Sequence, residues 1–511
     1  MTAPRAEPVG TFCLVLHTHL PWLLHHGSWP VGEEWLYQAW AEAYLPVVGL
    51  LRRLADEGRT ELLTLGLTPI LAAQLDDAYA LREFHTWLGF WQIRAAQSGT
   101  RPDPVVRAHA RYEHGRANQA LADFERHWSR GGSAAIRPLL DAGVVELLGG
   151  PATHPFQPLT DDRLVEFGLN VGLDDLRLRV GRLPSGIWAP ECGYRPGLET
   201  VYQRAGVGHF VVDGPTLQAT GRTTSQGVLV GSSDVAAFAR DLDVTYRVWS
   251  PRSGYPGGRW YRDFHTFDYW AGFRAARVTS KRVPPHEKAP YEPERALAQV
   301  DVDARDFVAT VVARLHDHAE REQRPGLVVA AYDTELFGHW WHEGPRFLEA
   351  ILRLMPEAGV RVTTLQGAVD AGHVLERVDL PAGSWGSGKD WRVWDGTDVE
   401  DITAVHDDVT SRLLDLVGKQ PHTSTLGRRP AVDQLVRDAL LAVASDWTFM
   451  VTKDAAADYA RRRVAEHARA FAALAEAIEG GSDTSALGIA ALQRGTDGPF
   501  GHLDSRLLSA R

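Results

Sequence analysis

Gly186-Ile187-Trp188-Ala189-Pro190-Glu191-Cys192-Gly193-Tyr194 ends a short apolar run in one carboxylate. Proline and two glycines impose an irregular backbone there, and two aromatic rings supply flat walls. A run of this length bounded by turn residues reads as a buried strand, which puts Glu191 at the strand end as a potential base or nucleophile. A plain turn with its glutamate in water fits the same nine letters, so the rest of the chain must supply Glu191 with a partner.

Working outward, comparable runs rich in Leu or β-branched residues occur at 11–16, 61–65, 144–148, 184–188, 209–212, 327–331 and 360–364. Helix-period apolar residues separate them, for example Leu36, Trp40, Ala43, Val47, Leu50 and Leu54 after the first. Strand–helix alternation predicts a parallel sheet with crossover helices, and a barrel more than an open sheet. Polar or aromatic residues stand just past the strand ends: His17 and His19, Thr68-Pro69, His154, Glu191, Asp213, Asp333 and Leu365-Gln366. Barrel enzymes assemble their sites from the carboxyl ends of several strands.

Two excursions interrupt the alternation. Residues 72–138 read as a helical insertion; residues 214–324 begin as a Gly/Ser-rich loop and end in a helix near 302–322. Beyond about Asp395 only helical spacing remains, as in Val432, Leu435, Val436, Ala439 and Leu440, while the tail from Gly481 reads as weakly structured.

At 511 residues with 44% hydrophobic and 23% charged residues, the chain has an ordinary globular composition. A net charge of −11 without a basic block argues against nucleic acid as a partner. The first eight residues lack a signal-peptide core, no apolar run reaches membrane-spanning length, and the two cysteines, Cys13 and Cys192, make no disulfide framework. A cytoplasmic protein is the expectation. Tryptophan, at 17 against 13 tyrosines, is the unusual figure, and it is a residue on which sugar rings stack.

The second dense stretch is Tyr332-Asp333-Thr334-Glu335-Leu336-Phe337-Gly338-His339-Trp340-Trp341-His342-Glu343-Gly344. Glycosidic cleavage needs an acid for the leaving oxygen and a carboxylate opposite, about 5–5.5 Å away in retaining enzymes. Glu191 and Asp333 on strands of one barrel fit that need; helix capping by Asp333 and Glu335 is the competing reading. His17-Thr18-His19, with His154, Asp213, His339 and His342, could instead build a metal site, or hydrogen-bond sugar hydroxyls. Gly383-Ser384-Trp385-Gly386-Ser387-Gly388-Lys389-Asp390 nearly spells a phosphate loop but ends in Asp390 where Ser/Thr is needed. It reads better as an exposed turn presenting Trp385 and Trp394. Trp260-Tyr261-Arg262-Asp263 and Ser445-Asp446-Trp447 fit sugar recognition or plain core and cap equally well.

Taken in order, His17-Thr18-His19-Leu20-Pro21, Glu146-Leu147-Leu148-Gly149-Gly150 with His154, the Glu191 and Asp333 stretches, the 385–394 turn and Ser445-Asp446-Trp447 resemble glycoside hydrolase family 57. Within that family the 1,4-α-glucan branching enzymes are the nearest in pattern. The resemblance implies an α/β fold, a (β/α)7 incomplete TIM-like barrel over 1–394 with a helical insertion at about 72–138. It implies an all-α part over 395–511 that contributes to the substrate cleft. It further implies Glu191 as nucleophile, Asp333 as acid/base, and substrate contacts from His19, His154, Arg262, Gly272, Trp385, Trp394 and Asp446. No metal or organic cofactor is implied, and the partner is an α-glucan.

One departure bears on the reaction. Branching members carry a mobile loop with a tyrosine over the site, whereas 214–233 has no aromatic residue. That keeps a same-family hydrolase or 4-α-glucanotransferase as the alternative, ahead of a metal-dependent hydrolase or a non-catalytic glycan binder. Tyr255 and Trp260 are the candidate replacements for the tyrosine.

Overall fold

Every residue of the first strand, β1 (Gly10–Thr18), is buried, as the apolar run Phe12–Leu16 at its centre requires in a sheet covered on both faces. The computed structural model describes residues 8–250, 253–419 and 427–509. The residues before Pro8, read above for a signal peptide, and Pro251-Arg252 lie outside them. Along the chain follow β2 (Leu63–Leu67), β3 (Val145–Gly149), β4 (Gly186–Ile187), β5 (His209–Val212), β6 (Gly227–Val230), β7 (Ala236–Ala239), β8 (Leu327–Asp333), β9 (Val360–Thr363) and β10 (Val374–Val378).

These form a ten-stranded sheet in the order β10-β6-β7-β5-β4-β3-β2-β1-β8, with β9 attached to β1 alone. From β7 to β8 the pairing is parallel throughout. The ring is drawn together where Asp241 N–H, just past β7, donates to Val329 O of β8 at 2.8 Å. This is the expected incomplete barrel, with one strand exchanged. Residues 360–364 were expected as a barrel strand, but β9 pairs only with Gly10–Cys13 at the start of β1. Its end therefore stops short of the site, and Gln366 bonds Asp370 and Glu146 instead. The ring position goes to β7, whose Ala-Ala-Phe-Ala sequence carries little strand signal.

The insertion is helical as expected, over Ala78–Ser98, Pro104–Asp123 and Gly132–Asp141. The helix expected near 302–322 begins earlier, at Pro293. After the barrel come helices Glu400–Gly418, Pro430–Ala442, Ser445–Thr452 and Ala457–Glu479. The tail is not weakly structured: Asp483–Arg494 is helical, and Phe500 and Leu503 are buried. Leu435, Val436 and Ala439 share one apolar core with Leu20 and Leu71 of the barrel side, so the C-terminal helices are seated on the barrel. No described helix is long and apolar enough to cross a membrane.

Candidate active site

Strand β4 is only two residues long because its continuation turns to present Glu191. Gly186 is required there, since a Cβ would lie 2.4 Å from the His209 ring. Trp188 N–H still reaches Gly149 O, and the chain then folds into a single tight turn. Glu191 (φ 62°) and Cys192 (φ 49°) are both left-handed, a conformation that costs a non-glycine residue about 1–3 kcal/mol. The turn is pinned by Trp385 N–H to Glu191 O at 2.9 Å and by the reciprocal Tyr194–Gly383 backbone pair.

The Glu191 side chain is 7% exposed, with one donor on each oxygen. Trp385 Nε1–H donates to Oε2 at 2.7 Å and Ser445 Oγ–H to Oε1 at 2.9 Å. Burial pushes this carboxyl up to about 7, and the charges of Asp446 and Asp333 push the same way against the two hydrogen bonds.

Asp333 ends β8 in register with His17 of β1. Burial raises it to about 6, opposed by the charges of Arg240 and His19, and no hydrogen bond from a described residue holds its carboxyl. The Asp333 charge adds to the rise at Glu191, so the two carboxyls are coupled and hold one proton between them near neutral pH. Burial weighs more on Glu191 (about 7) than on Asp333 (about 6), so the form with the charge on Glu191 and the proton on Asp333 is the minor one of the singly protonated pair; the two donors on Glu191, with none on Asp333, are what stabilise that form. Neither Asp333 nor Glu335 caps the following helix. Glu335 Oε1 accepts Tyr44 O–H at 2.5 Å and His19 N–H at 3.3 Å, and burial followed by the Asp333 charge raises it to about 8.

Three histidines wall the cleft. His17 stacks on Trp188 at 4.4 Å, and His19 stacks on His154 at 3.8 Å with their planes 20° apart. Burial drives His17 and His154 well below the ordinary imidazole range, so both are neutral. Since Ser445 donates to Glu191, it must accept from His154 Nδ1–H (3.0 Å). His154 Nε2 then accepts from His17 Nε2–H (3.1 Å). His19 is fixed by Thr68 Oγ1 at 2.9 Å and by both oxygens of Asp446 at 3.0 and 3.1 Å.

His19, His154 and Asp446 have ligand-type atoms within 4.8 Å of one another. A metal must lie in the plane of each imidazole it binds, about 2 Å from the nitrogen. Stacked rings so nearly parallel have planes that do not meet at that distance, so the trio suits hydrogen bonding and not an ion. The other members of the expected metal set are elsewhere: Asp213 pairs with Arg240 and Lys389, His339 with Glu42, and His342 with Tyr112. Lys389, pinned by Asp213, also leaves no phosphate cradle in the glycine-rich turn.

The structure therefore gathers Glu191, Asp333, His19, His154, Trp385 and Asp446. It does not bring in the other three expected residues. Arg262 is buried against Glu113 of the insertion at 2.9 Å and Arg274 O at 2.8 Å. Gly272 (φ 78°) sits in a turn over Arg94. Trp394, expected on an exposed turn, is 2% exposed and stacked on Phe156 at 4.3 Å. Ser445 was missed, although it stands in the Ser-Asp-Trp triplet; a serine carries no sign of its partner until a distant strand end is set against it.

Residues 13–378 match Glycosyl hydrolase family 57, and residues 406–507 match the family described as 1,4-alpha-glucan branching enzyme, C-terminal. The chain belongs to glycosyl hydrolase family 57. It is 51% identical over 524 residues to a probable 1,4-alpha-glucan branching enzyme of Mycobacterium tuberculosis, covering 98% of this chain and 99% of that one. The solved family 57-type branching enzyme of Pyrococcus horikoshii superposes with a TM-score of 0.92 at 31% identity, covering 98% and 97%. An α-amylase of Thermotoga maritima follows at 0.86 and 25%, covering 98% and 99%.

Against the family pattern, the segment after Asp213 is no open loop: it holds the helix Gly214–Gln218 and strand β6. Neither expected replacement for the tyrosine is free. Tyr255 O–H donates to Asp306 at 2.5 Å, and the Trp260 ring is packed by Arg259, Arg277 and Arg295 at 4.7, 4.4 and 4.7 Å. Two half-exposed aromatics of the described residues lie in the segment that follows β7: Tyr246, next to Lys389, and Trp249, next to Trp340.

Proposed function

We propose that this family 57 chain is a retaining 1,4-α-glucan branching enzyme. Asp333 protonates the glycosidic oxygen while Glu191 attacks the anomeric carbon, giving a glycosyl ester and releasing the reducing-side chain. Asp333, now a carboxylate, takes the proton of an incoming sugar 6-hydroxyl, whose oxygen displaces Glu191 and forms an α-1,6 branch. Two inversions give net retention.

The observation that carries this reading is the asymmetry of the pair: Glu191 has a donor on each oxygen, and part-buried Asp333 has none among the described residues. Trp385, Asp446, His19 and His154 are the substrate contacts of the donor side. Arg262, Gly272 and Trp394 are not among these contacts in this structure. We take 1–394 as the catalytic unit and 395–511 as the helical unit that completes the site through Ser445 and Asp446. Cytoplasmic glycogen formation is the setting in keeping with two free, buried cysteines.

Transfer over hydrolysis is favoured by the branching-enzyme relatives, which match this chain more closely than the amylase does. Amylose treated with the protein should lose iodine colour with little gain in reducing ends, and isoamylase should then release short chains. Reducing ends rising in step with colour loss, with nothing for isoamylase to cut, would establish a hydrolase instead.

A further inference from the structure

Two adjacent aromatic rings stand almost wholly in solvent: Tyr269 is 80% exposed and Trp270 82%. Burying such a ring is worth roughly 1.5–3 kcal/mol, which folding forgoes at both positions. The turn that carries them is nevertheless well built. Asp268 Oδ1 accepts Trp270 N–H at 2.9 Å and Ala271 N–H at 3.0 Å, and Gly272 N–H donates to Asp268 O at 2.7 Å. Beneath it Ala271 and Phe273 pack on Ala110 of the insertion, and Ser98 Oγ–H donates to Ala271 O at 2.6 Å. Arg101 covers one face of the Trp270 ring at 5.3 Å, leaving the other open.

The turn is also linked by rings to the stretch that follows Asp333. The Phe264 ring lies 5.3 Å from His339, in the stretch that follows Asp333. Arg274 spans Phe264 and Phe267 at 4.6 and 5.8 Å, and Phe267 lies 5.1 Å from Tyr269. A row of side chains thus leads from His339, six residues after Asp333, to the exposed pair.

We propose that Tyr269 and Trp270 form an outlying platform that holds a remote part of an α-1,4-glucan chain while another part occupies the cleft. This rests on the α-glucan reading above. Pyranose rings present flat C–H faces that stack on aromatic faces, and the Tyr269 hydroxyl and the Arg101 guanidinium can meet the hydroxyls at the ring edge. Two rings bury at most about 300–500 Å², well below the roughly 800 Å² each partner gives to a stable protein interface. One sugar needs only one ring face. For a polymer, a second contact raises the effective concentration of chain at the first without a tight site of its own.

The test uses the full chain. Tyr269→Ala/Trp270→Ala is introduced both into the active protein and into Glu191→Gln, and glycogen binding of the inactive pair is compared by affinity electrophoresis. The double variant should weaken glycogen binding at least fivefold and raise KM on amylose several-fold, while turnover of maltosyl fluoride, too short to span both places, stays within twofold. Unchanged glycogen binding overturns the proposal, as does a change in sedimentation, which would make the rings a contact between copies. An equal loss on maltosyl fluoride also overturns it, because that would mark a disturbed cleft. If the parent neither binds nor converts any glucan, the function proposed above fails and this platform fails with it.

Discussion

The hydroxyl of Ser445 lies 2.9 Å from Oε1 of Glu191, joining a C-terminal helix to a barrel turn 254 residues earlier. The Ser445 oxygen accepts from His154 Nδ1–H, so the hydroxyl proton is committed to Glu191. The surroundings of Glu191 are thus completed by a residue from outside the barrel.

Ser445→Ala removes one of two donors from a buried carboxylate. A hydrogen bond to a charged group contributes about 1.5–3 kcal/mol, so kcat/KM should fall roughly 10- to 100-fold. Ser445→Thr, which keeps the hydroxyl, should recover most of it. Steady-state rates on amylose for the two variants check this.

Activity requires the Glu191–Asp333 pair to hold one proton. With Glu191 raised to about 7 and Asp333 to about 6, the rate should follow a narrow bell centred between these values. Trp385→Phe deletes a hydrogen bond to the ionised form of Glu191, which raises its proton affinity. Because Glu191 holds its proton to higher pH than Asp333, the alkaline limb should move to higher pH and the maximal rate should fall, as a pH–rate profile of the variant would show.

Burial of Glu191 also has a stability consequence. Its folded-state value is raised from 4.5 to about 7, so the unfolded chain binds fewer protons across that window and stability falls as pH rises through it. Glu191→Gln should be more stable than the parent at pH 8, by up to about 3 kcal/mol at about 1.4 kcal/mol per pH unit. The gain should vanish at pH 4, where both states are protonated. Urea denaturation at the two pH values measures it.

Tyr246, 41% exposed, stands next to the Lys389 that binds Asp213 and Trp385 O, and Trp385 in turn holds Glu191. Tyr246→Ala should raise the number of reducing ends formed per branch, because an intermediate open to water partitions toward hydrolysis. Colour loss, reducing ends and isoamylase-released chains, followed together, give that ratio.

Much of this was legible in the sequence, because buried strands read as apolar runs and site groups sit at their ends. Glu191 and Asp333 were identifiable for that reason. β7 escaped because alanine carries little strand preference, and 360–364 misled because a strand's sequence does not state which edge it joins. Trp394 looked like a surface platform, but whether a tryptophan faces water depends on Phe156, far away in sequence. Arg262 likewise disappears into Glu113 of an insertion that local sequence reads as unrelated helix. Pairings between distant segments were the illegible part, and Ser445 with Glu191 is the chief example.

The most direct test of the account is a trapped intermediate. Asp333→Asn cannot assist a poor leaving group or activate an acceptor, but maltosyl fluoride needs no acid to depart. Incubated with this substrate and digested, the variant should yield a peptide containing Glu191 that carries one maltosyl unit, read by mass spectrometry. A maltosyl label on any other carboxylate, or turnover of maltosyl fluoride by Glu191→Gln at the parent rate, would contradict it.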